Sequence, residues 1–178
     1  SVPFDVGCHT GLISLQNFGE DKTLIIHDDT SWAETQGLNG VSAFLYHHAD
    51  EERLHMLKLI KFVNERGGHG VVPVLKQPPV TYKSVKAVFE EILKHEIKVT
   101  SDINGLVDAT LKEKDYTTHN FLQWYVSEQI EEEALARQIV DKLKLIGDDK
   151  GGLYFFDRDL EAMAIASENE ESPTKNKK

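Results

Sequence analysis

The chain has 178 residues and a formal net charge of −10, from 30 Asp and Glu residues against 20 Lys and Arg residues. Its length fits one domain with a sizeable core. The acidic balance argues against nucleic acids and anionic membranes as partners, and it attracts cations. Cys8 is the single cysteine, so an intramolecular disulfide framework is excluded. No apolar run approaches the roughly 18 residues of a membrane span and no signal-peptide pattern is found, so we expect a cytoplasmic location.

The first half of the chain predicts two long helices. Residues 1–11 lack periodicity and are expected to form a loose segment ahead of a bundle domain over residues 12–166. The first helix is predicted from about Leu12 to Gln36, and its apolar pattern is the poorest of the set. A tight connection over residues 37–40 leads to a second helix from about Val41 to Arg66, which a glycine pair ends.

A long crossover separates the two halves. Residues 69–82 contain three prolines and cannot be helical, so we expect an extended connection. A third helix is predicted from about Ser84 to Lys112, and a fourth helix follows a break at Lys114-Asp115 and reaches Ile146. Four long helices with one long crossover between the second and third predict an all-α four-helix bundle.

The C-terminal part predicts a short fifth helix and a tail. Glycines at 147, 151 and 152 separate this helix, predicted from Leu153 to about Ala166, from the bundle. Its apolar side chains favour docking in an assembly. Residues 167–178 are polar, carry a proline and have no apolar face, so a disordered tail is predicted.

Carboxylates fall on the inward stripe of three helices. Along each stripe the apolar side chains follow one another at steps of three or four residues, the spacing of one helix face. The interrupting residues are Glu52 on the second helix, Glu96 on the third, and Glu128 and Glu132 on the fourth. A lone buried carboxylate costs several kcal/mol unless something pairs with it. A bound metal ion is an economical partner for several converging carboxylates.

The spacing of these residues predicts a metal site. Glu52 and His55 form a Glu-x-x-His element whose side chains reach one ion from the same helix face. Glu96 is placed to bridge two ions, and Gln129 with Glu132 repeats the spacing with an amide. Carboxylate, imidazole and amide ligands suit iron or manganese, and zinc less exclusively. The alternatives are a surface ion pair and a buried carboxylate paired with lysine, but three elements in register on three helices favour the metal.

Four other histidines and both tryptophans are predicted to have structural roles. His47, His48, His69 and His119 are predicted to be surface or helix-end residues and not ligands, although His48 shares the stripe of Glu52. Trp32 and Trp124 are predicted to be packing residues.

Three stretches carry a resemblance to a known family. They are residues 31–34 (SWAE), 50–58 (DEERLHMLK) and 119–133 (HNFLQWYVSEQIEEE). From about Ser31 to Leu160 the chain resembles a bacterial non-haem ferritin, which implies a ferritin-like four-helix bundle. The resemblance also implies a ferroxidase that oxidises Fe²⁺ with O₂ at a di-iron centre. Its ferric product would be stored as a mineral inside a cage of 24 subunits.

The resemblance implies specific roles for eight residues. The paired-iron ferroxidase centre would use Glu52, His55 and Glu96 as ligands, with Gln129 and Glu132 lining it and Glu132 the more direct ligand of the two. A third iron position would use Glu51, Glu128 and Glu131, beside Glu96 or Glu132. Gln129-x-x-Glu132 stands where a haem-binding relative would carry a second Glu-x-x-His, so no haem is expected.

One departure from the family pattern concerns the first helix. The family's first-helix glutamate falls on Gly19, and the tyrosine expected near the centre falls on Ile26. Two interpretations stay open. Either Glu20 replaces the missing ligand, or the chain is a structural cage subunit with an impaired ferroxidase centre. A free-standing di-iron protein such as a peroxidase is a weaker alternative, because the chain has one Glu-x-x-His element and no Cys-x-x-Cys.

Overall fold

The structure, a computed structural model, describes residues 29–70 and 81–171, with side chains described as far as residue 165. Within these ranges the regular elements are helices, so the all-α prediction is confirmed. The helices are residues 29–35 (α1), Asn39–Glu65 (α2), Val85–Glu113 (α3), Tyr116–Ile146 (α4) and Lys150–Glu171 (α5). The predicted loose start, most of the predicted first helix and the centre of the predicted crossover lie outside the described residues. So do Gly19, Glu20 and Ile26.

Local capping signals set the bounds of α3 and α4. The Ser84 hydroxyl accepts a hydrogen bond from the Ala87 amide at 3.2 Å, so the helix begins one residue after its predicted start. The Asp115 carboxylate accepts one from the Thr118 amide at 3.1 Å and caps α4 in the same way. Between them Lys114 adopts a left-handed backbone with φ of 58°, which ends α3 at the predicted break.

The bounds of α5 differ from the prediction at both ends. The amides of Gly151 and Gly152 donate to the Asp149 carboxylate at 3.1 and 2.9 Å, so this capped glycine pair forms the first helical turn and does not separate the helix from the bundle. At the other end the helix continues to Glu171, beyond the predicted end at Ala166. Polar residues extend a helix that is already nucleated without needing a buried face. Residues 172–178 lie outside the described part.

The start of α2 packs closely against α5. Asn39 and Gly40, predicted to belong to the connection, are the first two residues of α2. A Cβ atom built on Gly40 would lie 1.7 Å from the carbonyl oxygen of Asp157, so only glycine allows this approach. The Asp157 carboxylate accepts a hydrogen bond from the Val41 amide at 2.8 Å and caps α2 from a distant part of the chain.

The core consists of two hydrophobic clusters. The first, which we call the α5 cluster, includes Val41, Leu45, Val88, Phe89, Ile92, Ile139, Val140, Phe156 and Leu160. The second, the distal cluster, consists of Leu59, Val99, Ile103, Leu106, Leu122 and Tyr125. On α2, α3 and α4 the residues Glu52, Glu96 and Glu132 fall between members of the two clusters. The carboxylates therefore form a polar layer inside an otherwise apolar interior.

None of the helices in residues 29–70 and 81–171 combines the length and apolar character that crossing a membrane requires.

Candidate metal centre

Two of the three carboxylates in the polar layer are almost fully buried, and the third, Glu132, is half-buried. Glu52 is 3% exposed and Glu96 is 1% exposed, while the apolar neighbours Ile92 and Val99 on the Glu96 stripe are each 5% exposed. The helix faces predicted to point inward from the spacing of their apolar residues are therefore buried, and these carboxylates are buried with them. Keeping ionised carboxylates at this depth is costly unless cations or hydrogen-bond donors compensate them.

Two sets of three ligand atoms meet in this layer. One set comprises Glu52, His55 and Glu132, and the other comprises His48, Glu96 and Glu132. Within each set the ligand atoms lie within 4.8 Å of one another. Because Glu132 belongs to both sets, its carboxylate connects them. The sequence pattern suggested Glu96 for the bridging position.

Gln129 holds one side of Glu96 in place. Its amide nitrogen donates to the Glu96 carboxylate at 3.2 Å and to the Thr100 hydroxyl oxygen at 3.3 Å. The Thr100 hydroxyl donates in turn to Glu133 at 2.7 Å. That hydrogen bond is the main reason that the pKa of the Glu133 carboxyl lies below its ordinary value, and the guanidinium of Arg137 adds to it. The chain of bonds fixes which way the Gln129 amide points.

Aromatic side chains close the distal side of the centre. The Tyr125 hydroxyl donates to the backbone carbonyl of His55 at 2.8 Å. Burial raises the pKa of the Tyr125 phenol, and the negative charge of Glu52 raises it further, so the hydroxyl stays a donor. The ring of Trp124 meets the His55 imidazole edge to face at 5.0 Å between centroids. Together these contacts fix the backbone and ring of His55.

Of the residues implied for a third iron position, Glu51 and Glu128 are half-buried and Glu131 is exposed. Within residues 29–70 and 81–165, Glu51, Glu128 and Glu131 join neither set of ligand atoms. Glu51 faces the Nδ1 atoms of His47 and His48 at 3.4 and 3.6 Å. Partial burial raises the pKa of its carboxyl, but His48, His47 and His55 together outweigh burial and leave the pKa below its ordinary value. The role of Glu51, Glu128 and Glu131 as ligands of a third iron stays a prediction.

The prediction for His48 as a surface or helix-end residue is wrong. This side chain is 5% exposed, and its Nε2 atom lies 3.5 Å from a carboxylate oxygen of Glu132. The signal was present in the sequence, because His48 precedes Glu52 by one helical turn on the inward stripe. Sequence reasoning also missed the bond between Thr100 and Glu133, which nothing in the local pattern indicates.

The fold and the site together define a class of protein: a helical bundle that gathers carboxylates and imidazoles in its core. The ferritin-like domain model matches residues 24–146. The bacterial non-heme ferritin of Campylobacter jejuni is 49% identical over 137 residues, which cover 77% of this chain and 82% of that protein. A probable bacterial non-heme ferritin-like protein of Haemophilus influenzae is 47% identical, covering 74% of this chain and 79% of its own length.

A solved structure agrees with these sequence matches. The open pore ferritin of the hyperthermophilic archaeon Archaeoglobus fulgidus superposes with a TM-score of 0.80 at 41% identity, covering 82% of this chain and 90% of that one. The chain belongs to the ferritin family. The family suggested by the sequence motifs and the predicted bundle fold are therefore confirmed.

Proposed function

We propose that this protein stores iron, that it oxidises Fe²⁺ with O₂ at a di-iron centre, and that it holds the ferric product as a mineral inside a cage of 24 subunits. The observation that carries the proposal is the pair of ligand sets joined at Glu132 in the middle of the core. Family membership and the names of the relatives support iron storage.

The ligand types suit two ferrous ions as substrates. Glu52, Glu96 and Glu132 supply negative charge that offsets two neighbouring cations, while His55 and the neutral amide of Gln129 adjust the ligand geometry. Each Fe²⁺ loses one electron, and O₂ takes up both electrons with two protons to give hydrogen peroxide. The apolar clusters on either side exclude water and hold the ligands rigidly in place.

The charge of the chain fits the delivery and retention of iron. A net charge of −10 draws cations toward the protein and gives an assembled shell the means to concentrate them. An acidic inner surface also lowers the barrier to mineral nucleation by binding ferric ions side by side.

Apolar side chains on the surface of one subunit support assembly. On α5 the side chains of Tyr154, Phe155 and Ile165 are 68%, 54% and 53% exposed, and Leu145 at the end of α4 is 89% exposed. Apolar surface of this kind is normally covered by a partner. We propose further copies of the same chain as that partner. The cytoplasmic location expected from the single cysteine stays a prediction.

The oxidase activity is tested by adding Fe²⁺ and recording oxygen consumption. We expect rapid uptake by the wild-type protein and none above the uncatalysed rate in the double variant Glu52→Ala with His55→Ala. The matched control is Glu65→Ala with His69→Ala, which removes an exposed pair of the same residue types near the end of α2. If the first double variant oxidised iron at the wild-type rate, the assignment of the centre would be wrong.

A second candidate is a cage subunit that stores iron with an impaired oxidase. The observation that favours it is Gly19, which stands where the family places its first-helix glutamate. Anomalous scattering at the iron edge separates the two candidates, using crystals soaked with Fe²⁺ without oxygen. Two iron peaks at Glu52, His55, Glu96 and Glu132 support the oxidase. A single peak or none in an intact shell supports the impaired subunit.

A further inference from the structure

His48 lies in the polar layer between two carboxylates and against an aromatic ring. Its ring stacks on Phe44 with centroids 6.0 Å apart and planes inclined by 17°. The Nε2 atom lies 3.5 Å from Glu132, and the Nδ1 atom lies 3.6 Å from Glu51. Each ring nitrogen therefore faces a different carboxylate, and the neighbouring Phe44 ring limits rotation of the imidazole.

This arrangement is the one expected of a metal-bound imidazole. Metal-ligating histidines almost always turn their second ring nitrogen toward a carboxylate or carbonyl, which selects the tautomer with a free lone pair on the metal side. Here the Glu51 carboxylate lies on the Nδ1 side of the ring, and Nε2 is the nitrogen that faces Glu132.

There is space for one ion beside His48. The side chains of His48, Glu96 and Glu132 line a cavity that is walled by Phe89 and Ile92 and holds about 10 Å³ of space for a water-sized sphere. That is about the volume that one water molecule needs, so a single ion fits there. Ligand atoms about 2.0–2.2 Å from a metal lie at most about 4.4 Å apart. The three ligand atoms lie within 4.8 Å of one another, so binding one ion requires at most a small inward shift.

We propose that His48 is a direct ligand of the second ferrous ion, together with Glu96 and Glu132. This inference rests on the proposed function and adds a ligand to it. Each iron position then has one imidazole, His55 for the first and His48 for the second. Gln129 turns its amide nitrogen toward Glu96, and because an amide nitrogen has no lone pair available for a metal, that nitrogen positions Glu96 and does not bind the ion. Two positions with matched donors fill over the same range of Fe²⁺ concentration, which favours paired loading before oxidation.

The test uses metal binding as well as activity. The variant His48→Gln keeps an amide nitrogen that is able to donate to Glu132, but it removes the imidazole. We expect wild-type protein to bind two Co²⁺ ions per chain in an anaerobic titration followed by visible absorption. In His48→Gln the second ion should bind at least tenfold more weakly, and iron oxidation should slow by a similar factor. The control His119→Gln changes a half-buried histidine near the start of α4, about 20 Å along the helix from Glu132.

A second variant guards against misfolding. His48→Phe keeps a ring stacked on Phe44 without a ligand atom, so a folded His48→Phe protein that binds one Co²⁺ tightly supports the proposal. If either variant binds two Co²⁺ ions with wild-type affinity, His48 is not a ligand. If His48 only positions Glu132, His48→Gln will bind two Co²⁺ ions with wild-type affinity. That outcome overturns the ligand role of His48 but leaves the proposed function intact. The proposed function itself is overturned if the wild-type protein consumes no oxygen when Fe²⁺ is added.

Discussion

The contact between the start of α2 and α5 gives a sharp prediction for Gly40→Ala. The added methyl carbon would lie 1.7 Å from the Asp157 carbonyl oxygen and 3.0 Å from the Glu161 amide nitrogen. Both atoms belong to the backbone of α5 and cannot rotate away. Relieving the overlap requires α5 to retreat from α2 by more than about 1 Å, because Cβ contacts under 3.0 Å essentially never occur.

The energetic cost follows from what α5 loses when it retreats. The hydrogen bond from the Val41 amide to Asp157, now 2.8 Å long, stretches beyond bonding distance and forfeits about 1 kcal/mol. Phe156 and Leu160, which are 6% and 3% exposed, lose part of their packing in the α5 cluster. Overpacking of this kind typically costs about 1–3 kcal/mol. We therefore expect a total loss of about 3 kcal/mol in the free energy of unfolding.

Thermal unfolding followed by circular dichroism measures this loss. For a chain of this length, about 3 kcal/mol lowers Tm by roughly 10 °C at a fixed protein concentration. The matched control is Gly105→Ala on α3, where an added Cβ meets nothing within 4 Å. That substitution should raise stability by about 0.5–1 kcal/mol, because alanine is the better helix former. A Gly40→Ala protein that unfolds within about 1 °C of wild type would refute the described contact.

Two further predictions concern the hydrogen bonds around the centre and the cap of α4. Thr100→Val should release the Gln129 amide and slow iron oxidation several-fold, while Thr100→Ser keeps the hydroxyl and the wild-type rate, as oxygen consumption will show. Asp115→Ala should lose the N-cap of α4 and about 1 kcal/mol at neutral pH. Partial burial raises the pKa of the Asp115 carboxyl, but hydrogen bonds from Thr118 and the charge of Arg66 outweigh it and leave the pKa below its ordinary value. The stabilisation is therefore present above the pKa of about 3.9 that Asp115 has in the unfolded chain. It is lost as the pH falls through the lower pKa that Asp115 has in the folded protein.

The outcomes that contradict these two predictions are distinct. Equal oxidation rates for the valine and serine variants would show that the Thr100 hydroxyl does not position the centre. For Asp115→Ala, the difference in unfolding free energy from wild type should shrink in urea titrations below about pH 3. A difference that stays constant from neutral pH into acid contradicts the cap assignment. Asp108→Ala, which changes an exposed aspartate on α3, serves as the control.

The sequence alone determined the helices and the polar layer within the described residues. Helix bounds at Ser84 and at the break before Asp115 follow from caps and left-handed residues, whose bonding partners lie three residues away. The inward position of Glu96 follows in the same way from Ile92, four positions before it, and Val99, three positions after it. These are local properties, so periodicity and capping chemistry are enough to predict them.

Only the tertiary structure decided which side chains meet across helices. Asp157 caps Val41 from 116 residues away, and Thr100 bonds Glu133 from 33 residues away, and neither pairing leaves a local pattern. The burial of His48 against Glu132 is of the same kind. The sequence alone predicts that His48 lies on the inward stripe. Its partner depends on the axial register in which α2 packs beside α4. That register is set by the packing of two hydrophobic clusters from separate helices, and no segment of the sequence specifies it alone.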